Sequence, residues 1–282
     1  MRLATIVDEG RTAVALVDGG RVLPLRLADP SLRSLRGIAA AGADGLERLH
    51  RWAADRPASA YRSLDAVELG PAIPDPGAIY TIGLNYGMPG EPRDIRAERP
   101  LVYAKLPSSV IGHGSTIAWD RGSSPNVDAE VELGVVIGAT ATAVSPADAS
   151  RHVFGYTCIN DVSSRDPWLD GDQWLLGKSM AGFCPVGPWV VTPDEIEPDD
   201  LELGCTINGV AIQAGSTTQL RFSIPEVIAF ISRHVTLEPG DLIATGTPPR
   251  LAGPMGPDRH LQAGDEVTVW IERIGELTTA IA

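Results

Sequence analysis

Residues Val127-Asp-Ala-Glu-Val-Glu-Leu-Gly-Val-Val-Ile-Gly138 form an apolar run interrupted by two glutamates, Glu130 and Glu132, with one residue between them. Read as a strand, the run puts side chains at i and i+2 on one face. Both carboxylates then project the same way from a segment apolar enough to be buried. Adjacent buried carboxylates repel, and burying even one without a partner costs several kcal/mol or forces its pKa upward. A divalent cation removes both penalties. An edge strand with a solvated acidic face would carry the same spacing, so the run alone leaves two readings open.

A third acid favours the cation. Asp161 ends another apolar strand, Gly155-Tyr-Thr-Cys-Ile-Asn-Asp161, and a polar turn, Val162-Ser-Ser-Arg-Asp166, follows it. Polar residues at strand ends are where sites are built on β scaffolds. Three carboxylates with no histidine or cysteine set beside them select a hard cation, Mg²⁺, Mn²⁺ or Ca²⁺, over zinc.

The surrounding chain reads as mainly β (α+β). Residues 1–25 alternate apolar and polar positions around turns at Asp8-Glu9-Gly10 and Asp18-Gly19-Gly20, the pattern of an antiparallel meander. Residues 31–55 read as helical with Gly42 and Gly45 interrupting the period, and Gly70-Pro-Ala-Ile-Pro-Asp-Pro-Gly77 reads as a linker. A small N-terminal domain over 1–70 and a larger one over 77–282 are therefore expected. In the second, strand-like runs at 78–82, 101–104, 131–137, 153–159, 189–191, 203–207, 241–245 and 266–271 outnumber a single convincing helix, Ile224–His234. That ratio predicts a sandwich, roll or barrel rather than alternating βαβ units.

With 36 acidic and 23 basic residues the net charge is −13, which argues against nucleic acid or an anionic membrane as partner. No apolar stretch is long enough for a membrane span or a signal peptide. Cys158, Cys184 and Cys205 are odd in number and lack Cys-x-x-Cys spacing, as expected of reduced thiols in a cytoplasmic protein.

Seven blocks carry a resemblance. In order they are Gly83-Leu-Asn-Tyr86, Lys105-Leu-Pro-Ser-Ser-Val-Ile-Gly112, Val127 to Leu133, Gly155 to Asp166, Gln173-Trp174 with Gly177-Lys178-Ser179, Cys184-Pro-Val-Gly-Pro188 and Thr245-Gly-Thr-Pro248. Their order over residues 77–282 resembles that of the fumarylacetoacetate hydrolase family, bacterial type with an extra N-terminal domain. The resemblance implies a mixed β-sandwich roll, a homodimer, and a 2-oxo, enol or acylpyruvate-like acid as substrate. It implies Glu130, Glu132 and Asp161 as metal ligands and Lys178 as a stabiliser of an enolate. Arg165 would line the site, and Thr247 would meet the substrate carboxylate. Tyr86 and Lys105, in matched blocks, are further substrate-binding candidates.

The departures matter as much. Hydrolytic members carry His three residues after the Asn-Tyr pair and Glu three further on, a dyad that activates water. Here Pro89 and Pro92 hold those places, and proline cannot act as a base. Glu91 and His113 are the replacement candidates, and Pro-rich 87–100 disfavours a lid helix. Trp168 stands where a Gln is usual and Arg250 where a Gly is usual; Arg250 could grip a carboxylate or face solvent. Hydrolytic C–C cleavage has the family behind it. Isomerisation or decarboxylation suits the missing dyad, and a non-catalytic binding scaffold is the competing class.

Overall fold

The computed structural model describes residues 1–8, 10–25, 32–87, 98–166, 169, 173–253, 255 and 259–282. The N-terminal meander forms as its turns require: β1 (Arg2–Asp8), β2 (Arg11–Asp18) and β3 (Arg21–Pro24) pair antiparallel in sequence. Two helices follow, α1 (Leu35–Ala40) and α2 (Gly42–Ala54). The single helical stretch read over 31–55 is broken between them, because Gly42 takes φ +59° and so leaves the right-handed helical region.

The main body is built from β4 (Ile79–Gly83), β5 (Leu101–Lys105), β6 (Val131–Ile137), β7 (Val153–Asn160) and β8 (Cys184–Val191). It continues with β9 (Glu202–Ile207), β10 (Val210–Ser216), β11 (Leu242–Ala244), β12 (Glu266–Ile271) and β13 (Gly275–Ile281). The expected strand at 189–191 is the end of a longer one, β8. A short helix absent from the sequence reading, α3 (Trp174–Lys178), lies ahead of it, and α4 (Ile224–Ser232) is the helix read from the sequence. Its N-cap Ser223 and Glu226 form a reciprocal capping box.

One sheet runs in the order β3-β2-β1-β8-β7-β6-β11-β4-β5, and a second in the order β10-β9-β12-β13. The first is antiparallel except where β11 and β4 run parallel. Between β9 and β10, Asn208 and Gly209 both take positive φ, 51° and 77°, as a tight hairpin turn demands. Along β6 the two faces have different fates. Val131, Leu133, Val135 and Ile137 pack into a core shared with Cys205, Val267, Val269 and Leu277 of the second sheet. Val136 faces the other way and joins Leu35, Ile38, Phe154 and Leu242. The fold is thus mainly β with two layers against each other and helices outside. Cys158, Cys184 and Cys205 are buried and free. Among the described residues no helix is long and apolar enough to cross a membrane.

The N-terminal strands join the large sheet directly, since β1 pairs with β8 at Arg2↔Val191 and Leu3↔Val190. Their helices also share a core with the main body. Leu35→Ala, at a fully buried position, should cost about 2–5 kcal/mol. The urea midpoints followed by far-UV circular dichroism and by tryptophan fluorescence should fall together. Two separated transitions would show residues 1–70 unfolding as a domain of their own.

Candidate active site and metal centre

The acid cluster arises from neighbouring strand ends. Pairing of β6 with β7 sets Val131 opposite Asn160. Just beyond, Asp161 N donates to Glu130 O at 2.9 Å, and Glu130 N donates to Asn160 Oδ1 at 3.0 Å. Ligand oxygens of Glu130, Glu132 and Asp161 all come within 4.8 Å of one another. Glu132 is 2% exposed and Asp161 is fully buried.

Such a cluster is tolerable only with compensation, and cations supply most of it. Lys178, at the end of α3, donates from Nζ to Asp161 Oδ2 at 2.6 Å, Ser163 Oγ at 2.8 Å and Glu130 Oε2 at 3.4 Å. Lys105, at the end of β5, donates to Asp161 Oδ1 at 2.6 Å and to Val162 O at 3.1 Å. Burial works against the Asp161 charge, yet Lys105 and Lys178 outweigh it and hold the carboxyl at about 2. Burial likewise opposes the Lys178 charge, and Asp161, Glu130 and Glu132 overcome it, so its pKa rises. Arg165 donates to Glu130 and, at 3.3 Å, to Asp128 Oδ2.

Glu132 is the exception. It accepts a hydrogen bond from Gly246 N at 2.6 Å and forms no ion pair among the described residues. Gly246 holds φ +102°, and a Cβ there would meet Asn85 Cβ at 2.8 Å and Ile82 O at 2.9 Å, so only glycine brings this amide so close. Burial, with Asp161 and Glu130 beside it, pushes the Glu132 carboxyl well above its ordinary range. Three carboxylates without imidazole or thiolate suit a hard divalent cation, and Glu132 is the unmatched buried charge such an ion would neutralise. The residues present fit the group.

A cavity of about 490 Å³ opens from the cluster, and Tyr86, Arg165, Lys178, Thr247 and Arg250 line it together with the three acids. The Tyr86 phenol oxygen is buried with no hydrogen-bond partner among the described residues, and burial with Glu132 nearby raises its pKa. Thr247 Oγ1 accepts from Gln213 Nε2 at 2.8 Å, and Gln213 Oε1 accepts from Val131 N at 3.0 Å, which ties the second sheet to the acid strand. Arg250 donates from Nη1 to Asp128 Oδ1 at 3.0 Å. It is therefore a pocket residue and does not simply face solvent.

Two residues expected to bind substrate or act in catalysis are not among the cavity lining. The Lys105 side chain is wholly buried and spends its ammonium on Asp161 and Val162 O, so this expected substrate-binding residue stands behind the acid and is not part of the cavity lining. His113 lies in a different cleft with Asp65, Trp189 and Glu276, and its Nδ1 accepts from Thr278 N at 3.2 Å. It sits in a turn hydrogen-bonded to β13 and is not part of the lining of the acid cavity. Trp168, Glu91, Pro89 and Pro92 lie outside the described residues, as does most of 87–100.

Sequence reading also passed over Asp128 and Gln213. Asp128 receives Arg165, Arg250 and His260 Nδ1, the last at 2.8 Å. Its signal was present, since 128, 130 and 132 continue the same two-residue period. Gln213 sits on the other sheet and carries no local mark.

Comparison with known proteins agrees with this geometry. The profile described as fumarylacetoacetate (FAA) hydrolase C-terminal matches residues 78–282. An uncharacterised protein of Staphylococcus aureus strain USA300 is 38% identical over 221 residues, 78% of this chain and 74% of its own. A fumarylacetoacetate hydrolase from psychrophilic Exiguobacterium antarcticum superposes with TM-score 0.86 at 31% identity, covering 100% of this chain and 99% of the other. Maleylpyruvate hydrolase from Sphingobium sp. SYK-6, in complex with manganese(II) and pyruvate, gives 0.82 at 27% identity with the same coverage. A 5-carboxymethyl-2-hydroxymuconate delta-isomerase from Mycobacterium smegmatis gives 0.78 at 28% identity, again covering 100% and 99%. A profile match over most of the chain and neighbours of full length together establish that this protein belongs to the fumarylacetoacetate hydrolase family.

Proposed function

We propose that the protein is a divalent-cation-dependent enzyme acting on a 2-oxo or β-dicarbonyl acid of the acylpyruvate type through an enolate, with hydrolytic C–C cleavage as its reaction. The observation that carries this is the convergence of Glu130, Glu132 and Asp161 with Lys178 on the floor of one cavity. The manganese and pyruvate bound by the Sphingobium hydrolase support it. A cation held by the three acids would polarise a carbonyl oxygen and offset the negative charge that develops on it.

The chain's own groups divide the remaining work. The weakest Lys178 bond, 3.4 Å to Glu130, is the one that substrate oxygen can replace. Arg165 and Arg250, both steadied by Asp128, present guanidinium groups to a carboxylate. Thr247, fixed by Gln213, adds a hydroxyl to the same wall. Three acids against Lys105, Lys178 and Arg165 leave the cluster neutral at full ionisation. An added divalent ion would make it net positive, which suits an anionic substrate. The homodimer and the cytoplasmic setting remain part of this proposal.

A second reading, isomerisation or decarboxylation, is favoured by Pro89 and Pro92 in place of the dyad and by the lack of any histidine among the described residues of the cavity. Both reactions need enolate stabilisation and a proton relay but no activated water.

A panel of acylpyruvates and oxaloacetate with Mg²⁺ or Mn²⁺ separates the readings. Pyruvate and a carboxylic acid should be released from the acylpyruvates, and Lys178→Met should lower kcat by roughly 100- to 1,000-fold. Carbon dioxide release or tautomerisation without cleavage would replace the first reading with the second. No turnover on any member would leave a binding scaffold.

Cation uptake should be linked to protons. The raised Glu132 carboxyl holds its proton to higher pH than usual, and ligation requires the carboxylate, so affinity should fall as pH drops through that raised value. Calorimetry in buffers of different ionisation enthalpy should register proton release. Glu132→Gln should abolish that release and weaken the cation by at least about 100-fold.

A further inference from the structure

The cavity has a second half of different chemistry. Pairing of β4 with β5 sets Gly83 opposite Leu101 and Thr81 opposite Tyr103. A Cβ on Gly83 would meet Tyr103 Cε2 at 2.7 Å and Leu101 Cδ2 at 3.2 Å, so both side chains lean across the bare glycine. Tyr103 stacks on Trp174, with ring centroids 4.6 Å apart and planes 22° from parallel. Trp174 begins the short helix that ends in Lys178. Trp174, one half of this aromatic pair, and the ammonium are therefore held by one element.

Leu84 completes this wall in an unusual way. It takes φ 55°, in the left-handed region that branched side chains avoid, and it remains 80% exposed. Its neighbour enforces the conformation. Asn85 Nδ2 donates to Thr245 O at 2.8 Å and Phe222 O at 3.2 Å, while its Oδ1 accepts from Phe222 N at 2.8 Å. An apolar side chain is thus kept on the lip of the cavity at a conformational cost and without core packing in return. Such retained strain marks functional positions.

We propose that Leu84, Leu101, Tyr103 and Trp174 form a subsite for an apolar substituent, so that the enzyme takes 2-oxo or β-dicarbonyl acids ending in an alkyl or aryl group rather than in a second carboxylate. The proposal rests on the reading that the acid cluster and its cations hold the 2-oxo acid head. A volume of about 490 Å³ is in the range that larger organic ligands fill and exceeds the need of a three-carbon acid. The wall is continuous with the polar floor, so a tail leaving the head meets it directly. Arg221 lines the same cavity and is the group that a tail carboxylate would seek, which makes the two tail types a fair contest.

Calorimetry on the Mn²⁺-loaded protein decides it, with oxalate as the head-group probe. The tail probes are a series of 2-oxo acids from 2-oxobutanoate to 2-oxooctanoate, with 2-oxoadipate as the carboxylate-ended control. These ligands lack a second carbonyl and are not cleaved. Affinity should rise up to about fourfold per added methylene, and 2-oxohexanoate should bind at least tenfold tighter than 2-oxoadipate. Leu84→Asn suits the left-handed backbone and keeps the fold. Together with Trp174→Ala it should lower the ratio of 2-oxooctanoate to oxalate affinity by about tenfold. Oxalate binding with no dependence on tail length, or 2-oxoadipate binding as tightly as 2-oxohexanoate, overturns the subsite. Failure of oxalate itself to bind removes the head-group reading and the subsite with it.

Discussion

Asp161 between two ammonium groups is the interaction on which the rest of the site depends. A wholly buried carboxylate within reach of two glutamates would lose its charge if left alone. Lys105 and Lys178, one from each side at 2.6 Å, keep it ionised. Lys178 depends on the acid in turn, because burial opposes its charge and Asp161 with its neighbours overcomes that. The pair of contacts also has a mechanical effect. It pins the end of β7 to the end of β5 and to α3, and so fixes where Glu130 and Glu132 can meet their neighbour.

The second sheet contributes by holding strands rather than by supplying charge. Gln213 reaches from β10 to Val131 N and, with its other end, to Thr247 and Pro248 O. The loop after β11 places Gly246 N on Glu132, and Asn85 closes the far side by bonding Thr245 and Phe222. Each of these polar groups is buried and satisfied by a backbone partner, which makes their arrangement rigid. The side chains that line the cavity stand on this frame.

Much of this was legible in the sequence where the chemistry is local. The two-residue spacing of Glu130 and Glu132 on an apolar run left two readings open, and Asp161 at another strand end favoured the cation. Strand periodicity gave β6 and β12 to the residue. Non-local facts were not legible. His113 looked reactive because a histidine in an otherwise untitratable block attracts notice, but its neighbours come from β13, far along the chain. Lys105 read as a substrate contact because nothing local reveals that its side chain runs inward beneath Val162. Asp128 was hidden by the attention that the glutamates drew. Gly42 was legible as an interruption of the helical period, and the structure ends one helix and starts the next there.

The junction between β1 and β8 has a consequence for the history of such chains. A strand inside a continuous sheet is protected on both margins by hydrogen bonds, and stripping away its neighbour lays open a row of amides and carbonyls that invites self-association. An exchange of the N-terminal segment by recombination would therefore succeed only if the incoming piece brought a strand of the same direction and register to lie along Val190 and Val191. Change in that segment would then be borne more easily by its turns and helices than by the strand that seals the margin.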